Sequence, residues 1–233
     1  MTVRLTSQMS VELVKTDFSD EWPCFSAWTS TRGDEATPQA RAGLIYRLIK
    51  DRHGTPFEHM DITFRVTAPI FVWREHHRHR MASYNEESGR YKKLAPVFYL
   101  PDDLRPLQQV PGSKSMDYQV APGTDDQYAL LQAAFRATCE NSYRQYEAML
   151  DAGILREVAR MVLPVNIMST CIVKMNARAL MNFLSLRVDS PDSWFPSKPM
   201  REINVIAAEY EGHFAAHAPV TYSAFVSNGR VAP

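Results

Sequence analysis

The sequence predicts an α+β fold, a mixed sheet packed with helices that include one long helix. Segments of period 3.6 and segments of period 2 follow one another without regular βαβ repeats, which argues against a doubly wound parallel sheet. One helical pattern, from Asp125 to Asp151, is far longer than any other. No Gly-x-Gly-x-x-Gly turn is present, so a dinucleotide would bind by means other than a Rossmann turn.

The elements follow in order. Thr37-Pro38 reads as an N-cap with proline at the first helical position, and Leu44, Ile45, Leu48 and Ile49 then share a face until Gly54. Ile62, Phe64 and Val66 alternate with polar residues and predict a half-buried strand. Pro69 then opens a helix through Ile70, Phe71, Val72 and Trp73 that is expected to continue to about residue 79, after which the chain runs as a loop. Continued that far, Glu75, Arg78 and His79 would lie on one face by i, i+3, i+4 spacing. Residues 101–124 hold four prolines and two glycines and read as a surface excursion.

The long helix from Asp125 is marked by Tyr128, Leu131, Phe135, Tyr146, Met149 and Leu150, with Gly153 as the residue beyond its C-cap. Leu155 to Leu163 predicts a short helix ending at Pro164. Ile167 to Met175, rich in β-branched and large apolar side chains, predicts a strand, and Ala177–Leu186 and roughly 199–217 return to helical periodicity.

Composition narrows the function. The chain has 233 residues, enough for one sizeable core, and its 45% hydrophobic content is ordinary for a globular domain. Lys plus Arg equals Asp plus Glu at 26 each, so no global field recruits nucleic acid or an anionic membrane, and an anion site must be local. Residues 74–93 are such a concentration: Arg74, Arg78, Arg80, Arg90, Lys92 and Lys93 stand against Glu75, Glu86 and Glu87. A solvated basic face is the plainer account of the same charges. Cys24, Cys139 and Cys171 are widely spaced, which argues against a disulfide framework or thiolate metal site and suits a reducing cytoplasm. The N-terminal residues lack a signal-type apolar region, and no run approaches the roughly 18 apolar residues of a membrane span.

The chemistry concentrates in three segments. Arg78-His79-Arg80 is followed after seven residues by Ser88, within Arg-His-Arg-Met-Ala-Ser-Tyr-Asn-Glu-Glu-Ser-Gly-Arg-Tyr. Guanidinium forks pair with phosphate oxygens, and a Ser-Gly turn lets main-chain N–H groups approach the same anion. The second segment is His53-Gly-Thr-Pro-Phe-Glu-His59, and the third is Asn176-Ala-Arg-Ala-Leu-Met-Asn-Phe-Leu-Ser-Leu-Arg187. Together they resemble the flavin-dependent thymidylate synthases, whose signature is Arg-His-Arg, seven residues, then Ser. Arg156-Glu-Val-Ala-Arg160-Met-Val-Leu-Pro164 extends the similarity, which covers most of residues 44–100 and 150–190.

The resemblance implies a single domain over residues 1–233 that methylates a uridylate at C5, dUMP to dTMP. Methylenetetrahydrofolate would give the carbon, FAD carry the hydride and NADPH recharge the flavin. The family pattern places FAD against His53, Thr55, Arg78, His79, Arg80, Glu86, Asn176, Arg178 and Asn182. It places the nucleotide against Glu75, Arg78, Glu86, Glu87, Ser88, Gly89, Arg90, Arg160 and Arg187. Arg187 corresponds to the activating residue, and its permanent cation suits stabilisation of charge developing on the uracil. The resemblance makes Ser88 an expected phosphate ligand; a nucleophilic role would need an adjacent base. Cys171 lies in an apolar run and reads as core. The family also implies a homotetramer with sites shared between subunits.

Three departures bear on function. Glu75 stands where the family commonly has glutamine, and His76-His77 replace its usual aromatic pair, both beside the expected nucleotide. Ala27-Trp28-Thr29-Ser30 lacks the arginine of the family's Ala-Arg-x-Ser. A carboxylate suits sugar hydroxyls, so Glu75 makes UMP a second candidate substrate, as in relatives from nucleoside-antibiotic pathways. Two rival classes remain open: a non-catalytic relative binding nucleotide or RNA through residues 74–93, and a metal-dependent hydrolase using Glu209, His213 and His217, which recur at i, i+4, i+8. An exposed helix face accounts for those three residues without a metal, and no metal site is expected.

Overall fold

The computed structural model describes residues 2–30, 37–112 and 119–233. Its elements run β1 (Arg4–Thr6), β2 (Ser10–Thr16), α1 (Glu21–Trp28), α2 (Pro38–Lys50), β3 (Asp61–Pro69), α3 (Ile70–His76), β4 (Ala82–Glu86), β5 (Val97–Tyr99), β6 (Gln108–Gln109) and β7 (Val120–Ala121). They continue with α4 (Asp125–Asp151), α5 (Arg156–Ala159), β8 (Met168–Asn176), α6 (Ala177–Arg187), α7 (Arg201–His217) and α8 (Pro219–Ser227). The strand order β2-β3-β8-β4 forms a four-stranded sheet, with two-stranded pairs β1-β5 and β6-β7. Mixed helices and sheet, with one helix of 27 residues, are the α+β architecture expected.

Contacts divide the chain into two compact units, residues 1–10, 67–74 and 86–171 in the first and residues 11–66, 75–85 and 172–233 in the second. In the first unit, β1 pairs in parallel with β5 in the register Leu5↔Phe98. Helix α4 starts at a capping box in which Thr124 and Gln127 satisfy each other's main-chain N–H groups, and Gly153 follows its end at φ 79°. Its buried stripe of Cys139, Tyr143 and Tyr146 packs with Val3, Phe98, Ala159 and Ile167. The tyrosines pay for their buried hydroxyls locally: Tyr143 donates to the Leu94 carbonyl at 2.8 Å, and Tyr146 accepts from the Leu94 N–H at 3.2 Å.

In the second unit, Thr37 caps α2 by accepting from the Ala40 N–H at 3.2 Å, and Pro38 opens the helix. Phe64 of β3 stacks on Tyr210 of α7 at 4.3 Å, and Phe57, Phe183, Phe214 and Phe225 fill out the core. Asp20 caps α8 from 200 residues away, its carboxylate accepting from the Val220 and Thr221 N–H groups at 2.9 and 2.8 Å.

The structure corrects three local expectations. Helix α3 stops at His76, and Arg78 and His79 continue as turns with their N–H groups on the Glu75 and His76 carbonyls. Residues 82–86 form strand β4 rather than loop. Their sequence, Ala-Ser-Tyr-Asn-Glu, shows no apolar alternation because β4 is an edge strand with exposed or half-buried side chains. The short helix expected to Leu163 ends as α-helix at Ala159, and a 3-10 turn covers Arg160–Val162. The excursion at 101–124 contains the β6-β7 pair, while residues 113–118 lie outside the described residues. Cys171 is fully buried, as core.

Candidate active site

The second unit carries a cavity of about 470 Å³, lined by Arg52, Glu58, Arg78, His79, Arg80, Met81, Met175, Asn176, Arg178, Ala179, Asn182, Leu186, Arg187, Ala232 and Pro233. Helix α6 explains much of this lining. Asn176 is its N-cap, with Oδ1 accepting from the Ala179 N–H at 2.8 Å, and Leu180, Met181, Phe183 and Leu184 face the core. That burial turns Arg178, Asn182 and Leu186, one helical step of four apart, to the cavity.

Arg187 ends α6 and is held from two directions. Its Nη1 donates to Glu75 Oε2 at 3.1 Å and its Nε to His79 Nε2 at 3.0 Å. Arginine only donates, so His79 must present a lone pair at Nε2 and carry its proton on Nδ1. Burial, and then the Arg187 cation, push the His79 imidazole down to about 4. The ring is thus neutral at physiological pH. Glu75 and His79 meet at Arg187 although the helical face expected to join them ends three residues early.

His76 does not line the cavity. It is fully buried, with Nδ1 3.0 Å from the Tyr84 hydroxyl and Nε2 3.0 Å from the Tyr210 hydroxyl. Tyr84 donates to the main-chain oxygens of His76 and His79, both at 3.0 Å, so it accepts from a His76 Nδ1–H. Desolvation above all, reinforced by the neighbouring His79, lowers the His76 pKa to about 3. The imidazole replaces an aromatic core residue while supporting the turn that carries His79. His77 is exposed, edge-on to Tyr84 at 4.7 Å.

Arg78 and Arg80 are exposed, and among the described residues neither guanidinium is paired. Arg178 is paired: Nη1 donates to Glu58 Oε1 at 2.6 Å. His53 and Thr55 line a neighbouring cavity of the same unit, with Trp28, Arg47 and Arg52, and Arg178 belongs to both cavities. Glu58 and Arg52 were missed as lining residues. Glu58 stands inside the 53–59 segment, but only the fold shows that it meets Arg178.

The first unit gathers Glu86, Glu87, Ser88, Gly89, Arg90 and Arg160. Glu86 Oε1 accepts from Ser169 Oγ at 2.6 Å, and Glu87 Oε1 from the Thr170 N–H at 2.9 Å while it pairs with Lys92. Ser88 begins a turn, its carbonyl accepting from the Tyr91 N–H at 3.1 Å. The Arg90 N–H turns back to Ser88 Oγ at 3.3 Å, so this N–H is engaged within the turn. Arg90 Nε binds Glu157 at 2.8 Å. Gly89 permits a close approach: a Cβ there would stand 3.1 Å from Arg160 Cδ and from Leu94.

Among the described residues no group of three or more His, Cys, Asp or Glu side chains could hold a metal ion. His217 Nδ1 instead lies 2.9 Å from the His213 carbonyl oxygen, an ordinary helical contact.

The cavity of the second unit suits a flavin dinucleotide chemically. Five guanidiniums border it against the Glu58 carboxylate, which favours a bridging pyrophosphate, and the Asn176 and Asn182 amides can read ring carbonyl and N–H groups. Met81, Met175 and Leu186 add apolar wall.

Residues 9–220 match the family model of the thymidylate synthase complementing proteins. The flavin-dependent thymidylate synthase of Tropheryma whipplei (strain TW08/27) is 48% identical over 97% of this chain and 96% of its own, and that of Streptomyces coelicolor 45% identical over 99% and 96%. The chain belongs to the flavin-dependent thymidylate synthase family. The crystal structure of a UMP/dUMP methylase, PolB from Streptomyces cacaoi, bound with 5-Br UMP superposes with a TM-score of 0.93 at 42% identity and covers all of both chains. Its 5-Br dUMP complex gives 0.91 over 99% of this chain. Membership in the flavin-dependent thymidylate synthase family makes the chain a methyltransferase-type enzyme with a flavin cofactor.

Proposed function

We propose that this chain catalyses reductive C5-methylation of a uridylate, dUMP to dTMP, with FAD, methylenetetrahydrofolate and NADPH. The observation that carries the reading is Arg187, set at the cavity edge by Glu75 and His79. A guanidinium fixed by two acceptors costs little reorganisation when negative charge grows on the uracil N3 and adjacent carbonyl oxygens, which is how a preorganised cation accelerates such a step. His79, neutral, holds that fork without competing as a second cation. Bound FAD supplies the hydride chemistry, and Arg78, Arg80, Arg178, Asn176 and Asn182 would hold it, with His53 and Thr55 from the neighbouring cavity. Ser88, Gly89, Arg90 and Arg160 would anchor the nucleotide phosphate, with Glu86 and Glu87 organising that turn.

A second substrate, UMP, is favoured by one specific observation. Glu75 presents a carboxylate where the family commonly has an amide; Arg187 engages Oε2, and among the described residues Oε1 has no partner, so it remains an acceptor for a ribose hydroxyl. The likeness to a UMP/dUMP methylase supports this reading. We further propose a homotetramer with shared sites. Leu155 and Met161, in the same segment as Arg160, are exposed and supply apolar surface for a partner subunit. No helix among the described residues is long and apolar enough to cross a membrane, and the three buried cysteines, none of them in a disulfide, suit a cytoplasmic setting.

The test is a competition. Equimolar dUMP and UMP are incubated with the purified protein, FAD, NADPH and methylenetetrahydrofolate, and mass spectrometry follows the gain of one CH₂ unit. Methylation of either nucleotide supports the reading and their ratio ranks the substrates. Methylation of neither would leave a nucleotide- or RNA-binding relative and overturn it.

A further inference from the structure

The last residues of the sequence return to the cavity of the second unit by a costly route. Arg230 adopts φ 58°, a left-handed conformation that strains a non-glycine residue, and it is 3% exposed. Its Nη1 donates to Glu211 at 2.5 Å and its Cζ sits 5.3 Å over the Phe225 ring, whereas among the described residues Nε and Nη2 have no hydrogen-bond partner. Such a partly satisfied buried charge is a poor stabiliser. It does fix the direction of the chain. The Arg230 N–H closes on the Phe225 carbonyl at 3.0 Å, and the following residues bring Ala232 and Pro233 into the cavity wall.

There the Pro233 main-chain oxygen accepts from Arg178 Nε at 2.7 Å, while Glu58 takes Nη1 at 2.6 Å. Two edges of the Arg178 guanidinium are thereby pinned. Gly54 makes room for the arrangement, since a Cβ there would overlap Arg178 Nε, with Arg178 Cζ at 2.6 Å and the Pro233 oxygen at 2.8 Å.

We propose that Arg230–Pro233 is a positioning strap for the cofactor: anchored by the Arg230–Glu211 pair, it orients Arg178 through the Pro233 oxygen and so sets flavin affinity. The proposal rests on the flavin reading of this cavity. The experiment is a cycle of FAD dissociation constants, measured by flavin fluorescence on the full chain, a chain ending at Arg230, Arg178→Ala, and the combination. Removing residues 231–233 should weaken FAD about tenfold, the scale of one charge-assisted hydrogen bond, and by less than about twofold once Arg178 is alanine. Gly54→Ala in the 233-residue chain should also weaken FAD about tenfold, which keeps the test valid should the shortened chain fail to fold. Equal losses with and without Arg178, or unchanged affinity in the shortened chain or in Gly54→Ala, would overturn the strap alone. Absence of FAD binding by the full chain would overturn the flavin reading together with it.

Discussion

Replacing Glu75 by glutamine separates charge from shape at the residue that touches Arg187. The two side chains are partly buried, 35% and 19% exposed, and 3.1 Å apart. At an effective dielectric near 20 the gross attraction at that distance is about 5 kcal/mol, of which partial solvent exposure and desolvation leave on the order of 1 kcal/mol. Glutamine has the same length and can still accept from Arg187 Nη1, so the fork stays in place and turnover of dUMP should change by no more than about threefold. The ribose is different. A hydroxyl donating to a carboxylate gains about 1.5–3 kcal/mol, and to a neutral amide about 0.5–1.5. The difference of about 1–1.5 kcal/mol predicts that the UMP to dUMP ratio of kcat/KM falls about tenfold in Glu75→Gln. Steady-state assays on both nucleotides, monitored by product mass, measure it. A ratio unchanged within about twofold would refute the role of Glu75 in gripping the ribose, and a collapse of both activities would show that the carboxylate is needed for Arg187 itself.

Arg187→Lys keeps the cation but cannot donate to Glu75 and His79 in one plane, so kcat should fall about 10²–10³-fold with a smaller change in nucleotide KM. A kcat within about threefold of the parent would sink the oriented-guanidinium account. His76 gives a pH signature: it is neutral in both states above its unfolded value of 6.5, and below it the unfolded chain takes up a proton that the folded chain refuses until about pH 3. Stability should therefore fall across that window by up to about 1.4 kcal/mol per pH unit from this residue. Urea denaturation of His76→Phe between pH 6.5 and 4 should show a shallower slope than the parent, and parallel slopes would contradict the assignment.

Much of the fold was legible because its signals are local. Thr124, Gln127 and Gly153 delimit α4, and Thr37-Pro38 starts α2, since capping satisfies N–H groups within one turn of the residue that supplies the oxygen. Alternation announced β3, whose Ile62, Phe64, Val66 and Ala68 are buried. Helices α1 and α8 gave weaker signals. The Asp20 cap that starts α8 lies 200 residues upstream, and Pro219, its only local mark, follows α7 after a single residue. Strand β4 went unread because an edge strand need not bury an alternating face.

The candidate site divides the same way. Sequence alone supplied the chemical inventory: Arg78-His79-Arg80 with Ser88, the 53–59 segment and the α6 residues that the family pattern assigns. Tertiary structure decided which of these meet and in what ionisation state. The pairing of Glu75 with Arg187 spans 112 residues, and that of Arg178 with Pro233 spans 55. No local rule links such positions, because their contact energy is realised only after the intervening chain has been ordered by its own core. His76 is the clearest instance: beside a basic motif it reads as a ligand-facing imidazole, and only its packing against Tyr84, Phe183 and Tyr210 makes it a neutral core residue.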